Sequence, residues 1–143
     1  MNYKQKILIL GDGGVGKTSL INNYLFNTFE EKYIPTYNNI NILQNNKYIF
    51  YDYPGQEKYS THDINLSYID ICIIMYDITN KLSYKNIEFW KQKVQNLCDD
   101  IPTIIVGNKI DSHYRKFIDN NTINISTKNH NYVHNLFEII QQS

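Results

Sequence analysis

Residues Gly11 to Thr18 read GDGGVGKT and directly follow the apolar run Ile7-Leu8-Ile9-Leu10. This is the G-x-x-x-x-G-K-[ST] pattern in the context it needs: a buried strand ends, a glycine loop exposes backbone N–H groups, and a helix begins at Lys17. Such a loop holds the phosphates of a nucleoside triphosphate, because glycine lets the chain come close to the oxyanions. Gly11, Asp12, Gly13, Gly14, Val15, Gly16, Lys17, Thr18 and Ser19 are therefore the expected phosphate-lining run. Lys17 is placed to reach the β and γ phosphates, and Thr18 to put a hydroxyl on Mg²⁺.

The base is chosen elsewhere, at Gly107-Asn108-Lys109-Ile110-Asp111. The Asp111 carboxylate can accept from both the ring N–H and the exocyclic amine of guanine. Adenine lacks that donor pair, so it would leave the carboxylate unpaired at a cost of several kcal/mol. Asn108 is expected to brace the phosphate loop, and Lys109 to cover the base with its aliphatic stem. Asp52-Tyr53-Pro54-Gly55-Gln56-Glu57 follows an apolar stretch. There Asp52 can accept from Mg²⁺-bound water, Gly55 can donate its N–H to a γ phosphate, and Gln56 can orient an attacking water. Lys17, Gly55 and Gln56 form the expected catalytic set. Upstream, Thr36 can place its hydroxyl on Mg²⁺ only while a γ phosphate is present, which makes its segment a nucleotide sensor. Phe29 can pack edge-on against the base. Taken alone, Phe29 and Thr36 fit ordinary loop roles equally well.

These groups must be positioned by a scaffold, and the sequence describes one. Lys4 to Leu10 reads as a central strand, Lys17 to about Phe26 as a helix, and Ile40–Leu43 and Tyr48–Tyr51 as strands joined around Asn45-Asn46. Asp70 to Asp77 is almost continuously apolar, as in a parallel strand covered on both faces. Ile87, Trp90, Val94 and Leu97 recur at helical spacing from Tyr84 onward, which makes Trp90 helix core rather than a ligand platform. Thr103–Val106 and Thr122–Ile125 are further strands; Val133, Leu136, Phe137 and Ile140 stripe a terminal helix. The fold class is α/β: a three-layer sandwich with a mostly parallel six-stranded sheet, one edge strand antiparallel, between helices. Ligands in such sheets bind beyond the carboxyl ends of the strands, where all the motifs fall.

The chain has 143 residues, enough for one domain spanning 1–143, and its formal net charge is zero. No basic stripe points to nucleic acid. Cys72 and Cys98 read as reduced thiols without metal spacing. No secretory apolar segment, prenylation box or myristoylation pattern is visible, so a lipid anchor is not expected.

The motifs together resemble the Ras-superfamily small GTPases: GDGGVGKT, Pro35-Thr36, DYPGQE at 52–57, NKID at 108–111 and STK at 126–128, in order along essentially the whole chain. Within the superfamily the chain is most similar to the Ran branch, through GDGG, GQEK ending at Lys58, SYKNIEFWKQKVQNLCDDIP from Ser83 to Pro102 and STKNHNY from Ser126 to Tyr132. The resemblance implies that Ser126 and the N–H of Thr127 complete a guanine pocket supported by Lys128. It also implies bound GTP or GDP with Mg²⁺, slow hydrolysis, and a soluble monomer in cytoplasm or nucleus. Its implied partners are an importin-type transport receptor, an exchange factor and a GTPase-activating protein. The sequence departs from the family's usual DTAGQE at Tyr53 and Pro54, and its segments 36–52 and 111–126 are shorter than the family's. Its one arginine, Arg115, lies beyond the guanine motif, so poor intrinsic catalysis is expected, with an arginine supplied by a partner. The competing reading is a catalytically impaired interaction protein, or a mimic of a cellular small GTPase, that keeps guanine nucleotide for folding stability while Pro54 disables the switch. An adenine-nucleotide kinase is disfavoured by Asp111.

Overall fold

The computed structural model describes residues 3–26, 40–53, 66–114 and 118–142. Among the described residues ten elements follow in chain order: β1 (Gln5–Gly11), α1 (Lys17–Phe26), β2 (Asn41–Gln44), β3 (Tyr48–Asp52), β4 (Ile71–Asp77), α2 (Lys81–Lys85), α3 (Ile87–Leu97), β5 (Thr103–Asn108), β6 (Ile123–Asn124) and α4 (His130–Gln141). They build a six-stranded sheet in the order β2-β3-β1-β4-β5-β6. The α/β architecture and the mixed six-stranded sheet expected from the sequence are both present.

β4 is central and buried at all seven positions, so its sequence alternates between two apolar layers instead of between core and solvent. Ile71, Ile73 and Met75 join Ile7, Ile9, Leu20, Phe50, Val133 and Phe137 on the side covered by α1 and α4. Cys72, Ile74 and Tyr76 join Leu8, Leu10, Tyr53, Trp90, Val94 and Leu97 on the side covered by α3. The β2–β3 pair is antiparallel. Its turn is closed by the Asn45 side chain, which accepts from the N–H groups of Lys47 and Tyr48, each at 2.8 Å. The antiparallel edge therefore has a local chemical cause: an Asx turn at the Asn45-Asn46 dipeptide.

Register decides where the motif residues emerge. β1 pairs in parallel with β3 and β4, setting Ile9 opposite Asp52 and Gly11 opposite Met75. β4 pairs with β5 so that Asp77 lies opposite Asn108. After β1 the chain places β2 and β3 on one side of it and then β4 on the other, so the strand order reverses around the carboxyl end of β1, the usual place for a ligand crevice.

The structure corrects one element. The helix expected from Tyr84 to Leu97 is two helices, α2 and α3, divided at Asn86. The first begins earlier because Asn80 caps it, accepting from the N–H groups of Leu82 and Ser83. The last strand is also shorter than expected, two residues long. Residue 114 and its neighbours before it form bends rather than a helix, while Arg115 to Phe117 lie outside the described residues. Among the described residues, no helix is long and apolar enough to cross a membrane.

Candidate functional site

The loop from Gly11 to Gly16 leaves β1 with three glycines at positive φ. Two of these positions need glycine for space as well. A Cβ on Gly11 would collide with the carbonyl oxygen of Met75, and one on Gly16 with the amide nitrogen of Asn108. The loop is thus seated against β4 and β5 by closeness that only glycine permits.

Lys17 folds back over this loop. Its Nζ donates to the carbonyl oxygens of Gly11 at 2.7 Å and Asp12 at 3.0 Å. The side chain is 7 % exposed, and burial pulls its pKa down to about 8, against the opposing pull of Asp52 and Asp12. A buried ammonium satisfied by backbone carbonyls alone is a cation in want of an anion. One residue on, the Thr18 hydroxyl donates to Asp52 Oδ2 at 2.7 Å. Asp52 is buried, and desolvation raises its pKa while the Thr18 bond and Lys17 hold it down. A hydroxyl and a carboxylate from α1 and β3 make a hard-oxygen pair of the kind Mg²⁺ prefers. The residues fit both groups: the loop and Lys17 a polyphosphate, Thr18 and Asp52 the metal.

The base-side residues converge on Asn108, 1 % exposed. Its Nδ2 donates to the Val15 carbonyl oxygen at 2.8 Å. Its Oδ1 accepts from the N–H of Thr127 at 3.1 Å and of Lys109 at 2.8 Å. Asn108 therefore braces the glycine loop at Val15 and ties it to the segment at Ser126–Lys128. Lys109 adopts φ 75, the one positive φ among described non-glycine residues, which turns the chain outward. Its Nζ pairs with Asp77 Oδ2 at 2.8 Å, anchoring it to the end of β4. Asp111 is exposed beyond this turn, with Lys128 Nζ 3.9 Å from its Oδ2. Ser126 and Thr127 are buried, and the Ser126 hydroxyl accepts from the N–H of Lys128 at 3.2 Å.

The structure thus brings together Gly11 to Ser19, Asp52, Asn108, Lys109, Asp111, Ser126, Thr127 and Lys128 beyond the carboxyl ends of the strands. Phe29, Thr36, Gly55 and Gln56 lie outside the described residues. Two contributions escape a reading of the sequence. Asn23 on α1, buried, donates to the Thr127 carbonyl oxygen at 2.9 Å and contacts His130 Nδ1 at 2.9 Å. Asp12 is gripped by α3: Asn86 Nδ2 donates to Oδ2 at 2.7 Å and Trp90 Nε1 to Oδ1 at 2.8 Å. A polar residue on the inner face of α1 was the visible sign of the first; nothing periodic announces the second.

Comparison with known protein families agrees with this geometry. The match is to the Ras family and runs over residues 6–139, from the second residue of β1 to within α4. The chain belongs to the Ras family, whose general activity is the binding and hydrolysis of GTP.

Proposed function

We propose that the protein is a guanine-nucleotide switch that hydrolyses GTP slowly to GDP and phosphate. The observation that carries this is the Asn108 amide. One buried side chain holds the phosphate loop at Val15 and the base-side segment at Thr127, so phosphate recognition and base recognition share a support. Asp111 supplies guanine selectivity, with Ser126, Thr127 and Lys128 around it. Gly11 to Ser19 receive the phosphates, and the Lys17 ammonium meets charge that builds on the leaving β-phosphate oxygens. Thr18, Thr36 and, through water, Asp52 would hold Mg²⁺, which when bound neutralises phosphate charge. Gln56 orients the water that attacks the γ phosphorus, Gly55 donates its N–H there, and Phe29 packs on the base. The Ran-like stretches at 83–102 and 126–132 support a role in nucleocytoplasmic transport. An importin-type receptor is the effector in that reading, with an exchange factor and an activating protein as regulators, for a monomer moving between cytoplasm and nucleus.

A second reading, a nucleotide-stabilised interaction protein with impaired switching, is favoured by Tyr53. That residue is 2 % exposed, its ring set edge-on to Trp90 at 6.4 Å between centroids and with Lys93 Nζ 5.9 Å above it. The root of the DYPGQE segment is thereby pinned to α3. Single-turnover hydrolysis of bound GTP separates the readings. Slow turnover in the wild type that disappears in Gln56→Leu is expected of the switch. Tight GTP binding with no turnover in either protein would overturn it and leave the scaffold.

A further inference from the structure

We propose that Asn86 and Trp90 are positioning residues for the nucleotide, holding the phosphate loop in its receiving form through the Asp12 carboxylate. The inference deepens the guanine-nucleotide reading and rests on it. Asp12 is the second residue of the loop, and it is fixed twice. Its carbonyl oxygen accepts from Lys17 Nζ. Its carboxylate is held as a fork, one oxygen by each of two donors that stand on α3 and at its start, 74 and 78 residues away in sequence.

The local structure leaves the Asn86 side chain free for this contact. Asn86 is at the N-cap of α3, where asparagine is favoured because its side chain can accept from the first free N–H groups. Here that side chain makes no capping bond. Its amide is turned to Asp12 instead, at the point where the helical stretch breaks in two. Trp90 is 1 % exposed and its ring belongs to the core. Its indole N–H, however, needs a partner once buried, and it finds one on the phosphate loop. The same ring is also set edge-on to Tyr53, the residue after Asp52. Trp90 therefore touches both strand ends that flank the nucleotide: the loop after β1 and the root of the segment after β3. If either moves when nucleotide binds or leaves, the indole must respond.

The test uses the full chain loaded with Mg²⁺ and fluorescent-labelled GDP, and reads the release rate. Trp90→Phe removes the N–H along with part of the ring, a packing loss for which the Asp12→Ala background is the control; Asn86→Ala leaves α3 capping unchanged, since the side chain does none. Each is expected to speed release about tenfold, equivalent to about 1.4 kcal/mol. In an Asp12→Ala background neither should add a further effect, because the bond they make is already gone. In the nucleotide-free protein the indole N–H resonance of the chain's one tryptophan should shift in Asp12→Ala. Release within twofold of wild type in both single variants overturns the proposal. So does an equal acceleration by Trp90→Phe with or without Asp12, which would mark a packing effect, and so does an indole resonance indifferent to Asp12. A wild-type protein that binds no guanine nucleotide fails differently: it removes the functional reading before any variant is compared.

Discussion

Replacing Asn108 with alanine removes one side chain from the centre of the site, and the structure sets the size of the loss. The buried Val15 carbonyl oxygen loses the amide donor at 2.8 Å, and the N–H of Thr127 loses its acceptor at 3.1 Å. Val15 and Thr127 are 1 % and 3 % exposed, so water reaches neither without rearrangement. An orphaned buried polar group costs about 1–3 kcal/mol, which puts the pair at about 2–6 kcal/mol. The space left by the side chain can admit a water that recovers part of this, so about 3 kcal/mol is the working figure. Against a domain stability of about 5–15 kcal/mol that is a large fraction, and for a chain of this size it corresponds to a fall in Tm of about 10 °C. Asn108→Asp separates the two bonds: it still accepts from Thr127 but sets an oxygen against the Val15 carbonyl. It should be no more stable than Asn108→Ala. The assay is thermal unfolding with and without GDP, since ligand binding adds to stability by mass action. If Asn108→Ala unfolds within about 0.5 kcal/mol of wild type, Asn108 does not join the two loops in the way its contacts indicate.

Three further outcomes follow from single residues. Burial lowers the Lys17 pKa from 10.5 to about 8. The unfolded chain then binds more protons than the folded one between those values, so this group makes the nucleotide-free protein more stable as pH rises through that window. Nucleotide affinity moves oppositely, falling about tenfold per pH unit above 8 because the phosphates require the ammonium; calorimetry at pH 9 should show uptake of close to one proton, and an affinity flat from pH 7 to 10 would contradict this. Gly16→Ala and Gly14→Ala both meet a positive φ, but only the first drives a Cβ into Asn108, while nothing lies within 4 Å of the second. Gly16→Ala should therefore weaken GDP binding by well over tenfold and Gly14→Ala by less, as backbone strain alone costs about 1–3 kcal/mol. Cys72 and Cys98 are both buried, and desolvation raises both thiol pKa values, that of Cys98 to about 11. Neither should react with a neutral-pH alkylating agent in the folded protein, and rapid labelling measured by mass spectrometry would contradict this.

What the sequence made legible and what it hid divide along a physical line. Ile7–Leu10 and Ile71–Asp77 are apolar runs bounded by turn residues, and both are strands at the sheet centre. GDGGVGKT and NKID are local patterns whose spacing carries their chemistry, and they meet beyond the carboxyl ends of β1 and β5. The break at Asn86 was hidden because Ile87, Trp90, Val94 and Leu97 report only the buried stripe of α3, and the helix before it is set by the Asn80 cap. Long-range polar contacts were hidden more thoroughly. Asp12 with Trp90 and Asn23 with Thr127 join residues 78 and 104 positions apart, and such pairs leave no periodic trace. Trp90 is the instructive case. Its helical spacing correctly marked it as core, yet spacing describes only where the ring lies and says nothing of where the N–H points.

The guanine selectivity proposed for Asp111 is measured by equilibrium affinities for GDP and ADP in the presence of Mg²⁺, in wild type and in Asp111→Ala. The wild type should prefer GDP by at least about a thousandfold, the scale of discrimination when a site's polar group is left unpaired, and Asp111→Ala should lose most of that preference while ADP binding stays unchanged. Comparable affinities for GDP and ADP in the wild type, or a guanine preference that survives the loss of Asp111, would contradict the account.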